Sequence, residues 1–369
     1  KVTTKTHYCK VCSIVNCSVV VTVCKCYRST STNYNATNTT IKIVENGRVN
    51  LPEKYHCGLY DTFYPNRANK VTGYAFSANS AAPFELDGVW IVARGSGISA
   101  AAECKSLIVR NCNFVGCNEY VYSSGAAHNG SFPRRYENCK ILYSSGYRMK
   151  LKGGADFVNC VFRGNMITSG GTTASAFYLW AGARTRFVGC EFSRYYRYVP
   201  ASADVSGMER DGNIVADEQS SGASFTDCVF SNNLSSSKNS VGITMLSAGD
   251  IRFNRCCFEK NRTVVNPSAG RTYTGLFLSN VKGGFTDVKE CYFADNEVSA
   301  PVNNVEGNFN LALIGGGNGD AGMVLNSSFV SNRVFWADNG MSTVYASRGV
   351  FTSGGNNGQR AIVNCAFVG

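Results

Sequence analysis

The chain has 369 residues, 44% of them hydrophobic and 17% charged, with a formal net charge of +11. No run approaches the ~18–20 consecutive apolar residues of a helical membrane span. Abundant Gly, Ser, Thr and Asn, with few amphipathic helical runs, point away from a helical protein. The basic balance suits an anionic partner such as an acidic polysaccharide, but no long Lys/Arg run marks a nucleic-acid-binding segment.

In chain order, residues 1–104 read as a cysteine-rich region with the first coils of a repeat. VVVTV (19–23) has strand length, and IVNCSVV (14–20) matches a unit that recurs later. Cys9, Cys12, Cys24, Cys26 and Cys57 crowd this region, and Cys104, Cys117 and Cys257 follow. An even set of eight suits disulfides in an oxidising compartment. Zinc is the weaker alternative, because Cys9-Lys-Val-Cys12 is one CxxC and Cys24-Lys-Cys26 is not a second. Asn35, Asn38 and Asn129 stand in polar sequons and are candidate glycosylation sites in a secreted eukaryotic chain.

Residues 105–369 carry the regular repeat. Clear copies are FVNCVFRGN (157–165), FTDCVFSNN (225–233), FNRCCFEKN (253–261) and VKECYFADN (288–296); VLNSSFVSN (324–332) puts Ser327 in the cysteine place. VRNCNFVGC (109–117), YENCKILYS (136–144) and FVGCEFSRY (187–195) are weaker copies, and IVNCAFV (362–368) is the same unit. With the cysteine as position 0, positions −3 and +2 are apolar, Asn recurs at −1, and Asn is frequent at +5. Centres from Cys112 to Cys365 lie 21 to 38 residues apart. A constant core with variable spacers is the pattern of a solenoid carrying loops.

Parity adds a bend. Positions 0 and +2 share one face of a strand, so −3 would point the other way. It is equally apolar, so the chain must turn between them, and Asn at −1 tolerates the left-handed conformation such a turn needs. A further strand lies upstream, as in SAFYLWAG (175–182), VGITMLSAG (241–249), TGLFLSNVKGG (275–284) and LALIGGG (311–317). Three strands per ~30 residues predict an all-β, right-handed parallel β-helix of about nine to twelve coils. A propeller, with ~40–50-residue blades, fits poorly. The Phe at +2 is expected to stack inside, and the cysteines to form a ladder of small buried thiols.

The F-x-x-N element at Phe162–Asn165, Phe230–Asn233, Phe258–Asn261, Phe293–Asn296 and Phe329–Asn332 resembles the repeat of chlamydial polymorphic outer membrane proteins and of protist surface repeat proteins. The companion GGA element is echoed only in part, by GGAD at 153–156. The resemblance, which covers about residues 105–369, implies a pectin-lyase-like β-helix used in adhesion and surface display.

Enzymatic β-helices need clustered carboxylates. Here acidic residues gather in the spacer 204–219, where Glu209, Asp211, Asp217 and Glu218 are the candidates for a glycosidase pair or lyase site. A solvated loop explains them equally, and His7, His56 and His128 form no catalytic motif. Arg194, Tyr195, Tyr196, Arg197 and Tyr198 are the candidate patch for a sugar or anionic polymer. They begin where a repeat has its closing Asn, so a decorated turn is the competing reading. The apolar rung at Ile362, Cys365 and Phe367 echoes Ile14, Cys17 and Val19, which suggests end-to-end association of copies. The expectation is a non-enzymatic, extracellular or cell-surface structural protein. It would have no catalytic residue, metal or cofactor, and would self-associate; a polysaccharide-binding or -cleaving β-helix is the alternative.

Overall fold

A computed structural model describes the coil strands and bends in segments between residues 74 and 369. Before that it describes only short strands at 14–15, 19–21, 36–37 and 39–43. The chain is all-β. Among the described residues there is no helix, hence none long and apolar enough to cross a membrane. The strands form three long sheets of fourteen, twelve and ten members, all paired in parallel, as in a parallel β-helix.

One turn of the coil illustrates the rest. Ile251–Asn254 lies in the twelve-stranded sheet. Cys257–Glu259 and Arg262–Val265 both lie in the fourteen-stranded sheet, and Thr272–Asn280 lies in the ten-stranded one. Each pairs in register with its counterpart one turn on: Phe253 opposite Val288, Phe258 opposite Phe293, Thr263 opposite Val298 and Leu276 opposite Ala312. The upstream strands read from the sequence appear as Phe177–Trp180, Ser240–Met245, Thr272–Asn280 and Asn308–Gly316.

These turns hold four strands, where the sequence predicted three. The additional strand follows a second bend. The first bend is at −1, where Asn111, Asn138, Asn159, Asp227, Arg255, Glu290, Asn326 and Asn364 have φ between 49 and 55°. The second is at +4, where Arg194, Asn232, Lys260, Asp295 and Ser331 have φ between 52 and 60°. A single left-handed residue redirects a strand without a loop. At −1, Gly189 stands where others have Asn, and a Cβ there would sit 2.5 Å from Asn159 Oδ1. Because of the −1 bend, positions −3, 0 and +2 all enter the core, as Phe157, Cys160 and Phe162 do.

The core is two aromatic ladders in contact. At +2, Phe162, Phe192, Phe230, Phe258, Phe293, Phe329 and Phe367 stack with centroids 4.5–5.0 Å apart. At −3, Tyr136, Phe157, Phe187, Phe225 and Phe253 stack at 4.8–5.1 Å. The ladders meet edge to face, for example Phe225 on Phe230 at 5.6 Å. Offset-stacked and edge contacts each contribute about 0.5–1.5 kcal/mol beyond area burial.

Pairing also runs across residue 104: Phe84–Asp87 pairs with Leu107–Arg110, and Trp90–Val92 pairs with Asn113–Val115. Residues 86–92, LDGVWIV, are therefore a rung the sequence reading missed. Gly88 makes the −1 bend with φ 72°, and the sequence has no cysteine directly after it. The copy at 14–20 is corrected. Val19 pairs with Ile41, and Ile41 with Leu86, so Val19 falls in the −3 column rather than at +2. Ile14 pairs with Ala36 in a separate two-stranded sheet, and Cys17 lies outside the described residues. Local similarity to a rung did not decide the register, because strand pairing did.

Phe230→Ala leaves a ring-sized gap where both ladders touch, and should lower unfolding stability by about 3–5 kcal/mol in a denaturant titration. Phe367→Ala, at a half-exposed ring, should lower it by less than half as much.

Candidate functional site

The positions conserved from rung to rung are those that hold one coil to the next. The +5 asparagines form a ladder. Asn261 Nδ2 donates to Phe230 O and to Asn296 Oδ1, both at 2.9 Å. Asn261 Oδ1 accepts from the backbone N–H of Asn233 at 3.2 Å and from Asn233 Nδ2 at 2.9 Å. Asn233, Asn296 and Asn332 repeat the pattern toward Phe192, Phe258 and Phe293. The ladder begins at Tyr195, whose N–H donates to Asn233 Oδ1 at 3.0 Å. It satisfies the backbone groups that the +4 bend takes out of the sheet.

At position 0 the thiols make a second ladder. Each single S–H faces two carbonyls, that of residue −2 in its own coil and that of −3 in the previous one. Cys190 Sγ lies 3.5 Å from Val188 O and 3.3 Å from Phe157 O; Cys256 lies 3.5 Å from Asn254 O and 3.3 Å from Phe225 O. The described ladder cysteines are free thiols. Ser327 takes the same place, donating to Leu325 O at 2.8 Å and accepting from the N–H of Cys291 at 3.1 Å. Burial, then the neighbouring thiols of Cys190 and Cys256, pushes the Cys228 thiol far above its ordinary value of 9.0. Its environment is therefore that of a protonated packing group rather than a nucleophile or metal ligand. Among the described residues no cluster of three His, Cys, Asp or Glu has metal-binding geometry.

Outside the coil, charges pair along the axis. Arg186 binds Asp156 through two hydrogen bonds at 2.8 and 2.5 Å, and Arg255 binds Asp227 at 2.7 and 2.9 Å. Glu297, nearly buried, joins Arg262 and Arg333 at 3.1 Å each. The Arg255 hydrogen bond holds the Asp227 carboxyl below its ordinary range despite some desolvation. The pair also helps explain how Arg255 and Asp227 occupy left-handed bends that favour Asn or Gly.

The candidate ligand patch is divided. Residues 191–198 form one strand, with the +4 bend at Arg194. Tyr195 occupies the +5 place opposite Asn165 and is fully buried, so it presents no face to a sugar. Burial, followed by the Glu191 charge, raises its phenol well above the usual value. Arg197 pairs opposite Ser235. Arg194 and Tyr196 are partly exposed. Strand alternation thus breaks a run that looked continuous in one dimension. Tyr198 pairs opposite Ser236.

The rung 361–369 presents the most open apolar surface among the described side chains. Phe367 stacks on Phe329 at 5.0 Å and is 51% exposed, with Ile362, Val363 and Val368 comparably open. Cys365 is partly exposed. Glu209, Asp211, Asp217 and Glu218 lie outside the described residues, as do Cys9, Cys12, Cys24, Cys26, Cys57, Cys104, Cys117, Asn35, Asn38, Asn129 and the three histidines. Cys257 is described; it holds the +1 position between Val229 and Tyr292.

Compared with known proteins, the chain matches no family model, no curated protein and no solved structure.

Asn261→Ala removes partners from Phe230, Asn233 and Asn296, and each stranded buried group costs about 1–3 kcal/mol. Chemical denaturation should show a loss of at least about 3 kcal/mol, against about 1–2 kcal/mol for the exposed Asn364→Ala, which gives up chiefly a residue suited to the left-handed bend. Burial of the Cys228 thiol also sets an alkaline limit. An ordinary unfolded thiol ionises near 9.0 while Cys228 in the fold does not, so the unfolded state binds fewer protons above that pH and stability falls as pH rises. The unfolding midpoint should drop between pH 8 and pH 10.5, and the drop should be shallower in Cys228→Ser, a replacement that the fold already accepts at Ser327.

Proposed function

We propose that the chain is a structural element, a stiff β-helical rod of an extracellular or cell-surface assembly, with variable spacers offered to glycans or anionic polymers. The observation that carries this reading is the use made of the repeated polar side chains. The asparagine ladder, the thiol ladder and the axial ion pairs are each saturated between adjacent coils. A catalytic site needs polar groups held ready for a substrate; here the repeated ones hold the rod together. At about 4.8 Å per coil, the eight steps from Cys112 to Cys365 extend on the order of 40 Å. Spacers of differing length can vary without disturbing the stack.

Association through the end of the stack is the second part of the proposal, motivated by the half-exposed Ile362 and Phe367. A surface made of rung residues is best covered by another coil, which repeats the ring stacking found inside. The partner is a second copy of the chain or a further coil of one polypeptide.

Two measurements test this. Incubated with acidic polysaccharides, the chain should bind or ignore them without cleaving them. Cleavage that disappears when Glu209, Asp211, Asp217 and Glu218 are changed to Ala would replace the structural reading with an enzymatic one. In sedimentation, association should rise with concentration and be lost in Phe367→Asp; an intact chain that stays monomeric at high concentration removes the end contact between copies.

A further inference from the structure

The sequence contains sequons at Asn233-Leu-Ser, Asn261-Arg-Thr and Asn326-Ser-Ser, and the fold treats them differently. Asn233 is 7% and Asn261 1% exposed. Both hydrogens of the Asn261 amide nitrogen are in use, on Phe230 O and Asn296 Oδ1 at 2.9 Å each. Those of Asn233 bind Phe192 O at 3.1 Å and Asn261 Oδ1 at 2.9 Å. N-glycosylation joins C1 of a lipid-pyrophosphate-linked sugar to this nitrogen; one N–H proton is lost and the lipid pyrophosphate leaves. The product has a single N–H left, so one ladder bond must break. The sugar would also have to occupy space already filled by the neighbouring coils.

Asn326 sits differently. It is at the −1 bend with φ 49°, on the solvent side of the coil, and is exposed. Its Oδ1 accepts from Asn364 Nδ2 at 2.9 Å. A sugar on its Nδ2 leaves that oxygen free to keep the bond, and Ser328, which completes the sequon, is partly exposed.

We infer that the folded coil takes an N-linked oligosaccharide at Asn326 and excludes one at Asn233 and Asn261, where occupancy prevents the asparagine ladder from closing. This concerns what the coil tolerates, not what the rod is for, so it stands or falls apart from the structural reading.

The test is secretion of the full chain from eukaryotic cells, followed by glycopeptide mapping of the protease-resistant and the aggregated, protease-sensitive fractions. The resistant fraction should carry sugar at Asn326, with Asn233 and Asn261 bare. Chains modified at Asn233 or Asn261 should be confined to the sensitive fraction. Thr263→Ala abolishes the Asn261 sequon and keeps both ladder asparagines; Thr263 Oγ1 is buried without a hydrogen-bond partner, so its loss strands nothing. This variant should raise the resistant yield in secreting cells by at least about twofold, and leave it unchanged in a bacterial cytoplasm that transfers no glycan. Sugar on Asn233 or Asn261 in the resistant fraction overturns the inference, as does a bare Asn326 there. The mapping of the unaltered chain decides the matter even if the variant itself folds poorly.

Discussion

The spacing between one coil and the next is the constraint on which the structure depends. Parallel strands joined by backbone hydrogen bonds lie about 4.7–4.9 Å apart. Stacked aromatic rings are favourable at nearly the same separation, and the two ladders show it, with centroids 4.5–5.1 Å apart. In-register pairing therefore places ring over ring along most of each ladder. A residue in any column meets its equivalent, so the same side chain is suitable in turn after turn. Columns that stack well with themselves are retained: rings at −3 and +2, a small thiol at 0, an amide at +5.

The bends follow from the same constraint. A flat sheet would send −3 and 0 to opposite faces. One left-handed residue at −1 and another at +4 fold the sheet around its own core, at the expense of backbone groups turned out of the ladder. Side chains then take over their hydrogen bonding. The cysteine thiol meets carbonyls beside the first bend, and the asparagine amide serves the second. The amide is the better device, because it donates and accepts at once and so forms an unbroken chain from Tyr195 to Asn332. A thiol has one weak proton, which explains how Ser327 fits the same column. Polar chemistry is thus directed along the axis, while variation is left to the spacers between strands, where loops commonly carry recognition.

Much of this was legible beforehand. The spacing of Cys, Phe and Asn implied a solenoid, and the clash of parity between −3 and +2 implied the first bend. The second bend was hidden. Its residues are Arg194, Asn232, Lys260, Asp295 and Ser331, a set with no common chemistry, since the conformation there is imposed by the ladder behind it. The rung at 86–92 was hidden because it carries no cysteine, the residue used to find the others. The aromatic run at 194–198 looked like a surface because residues adjacent in sequence were taken together. A strand sends alternate residues to opposite sides, and Tyr195 belongs to the core.

The sequence by itself determined the repeating unit, the β class and which residue types line the interior, because periodicity and self-stacking are properties of the local pattern. Only the tertiary structure decided the register of each copy, the fourth strand, the burial of Tyr195, and which asparagines are bonded within the fold and which face solvent. Those depend on what lies one coil above and one coil below, across spacers of unequal length. Val19 makes the point: its neighbours in sequence assign it to +2, and its neighbours in space, Ile41 and beyond it Leu86, assign it to −3.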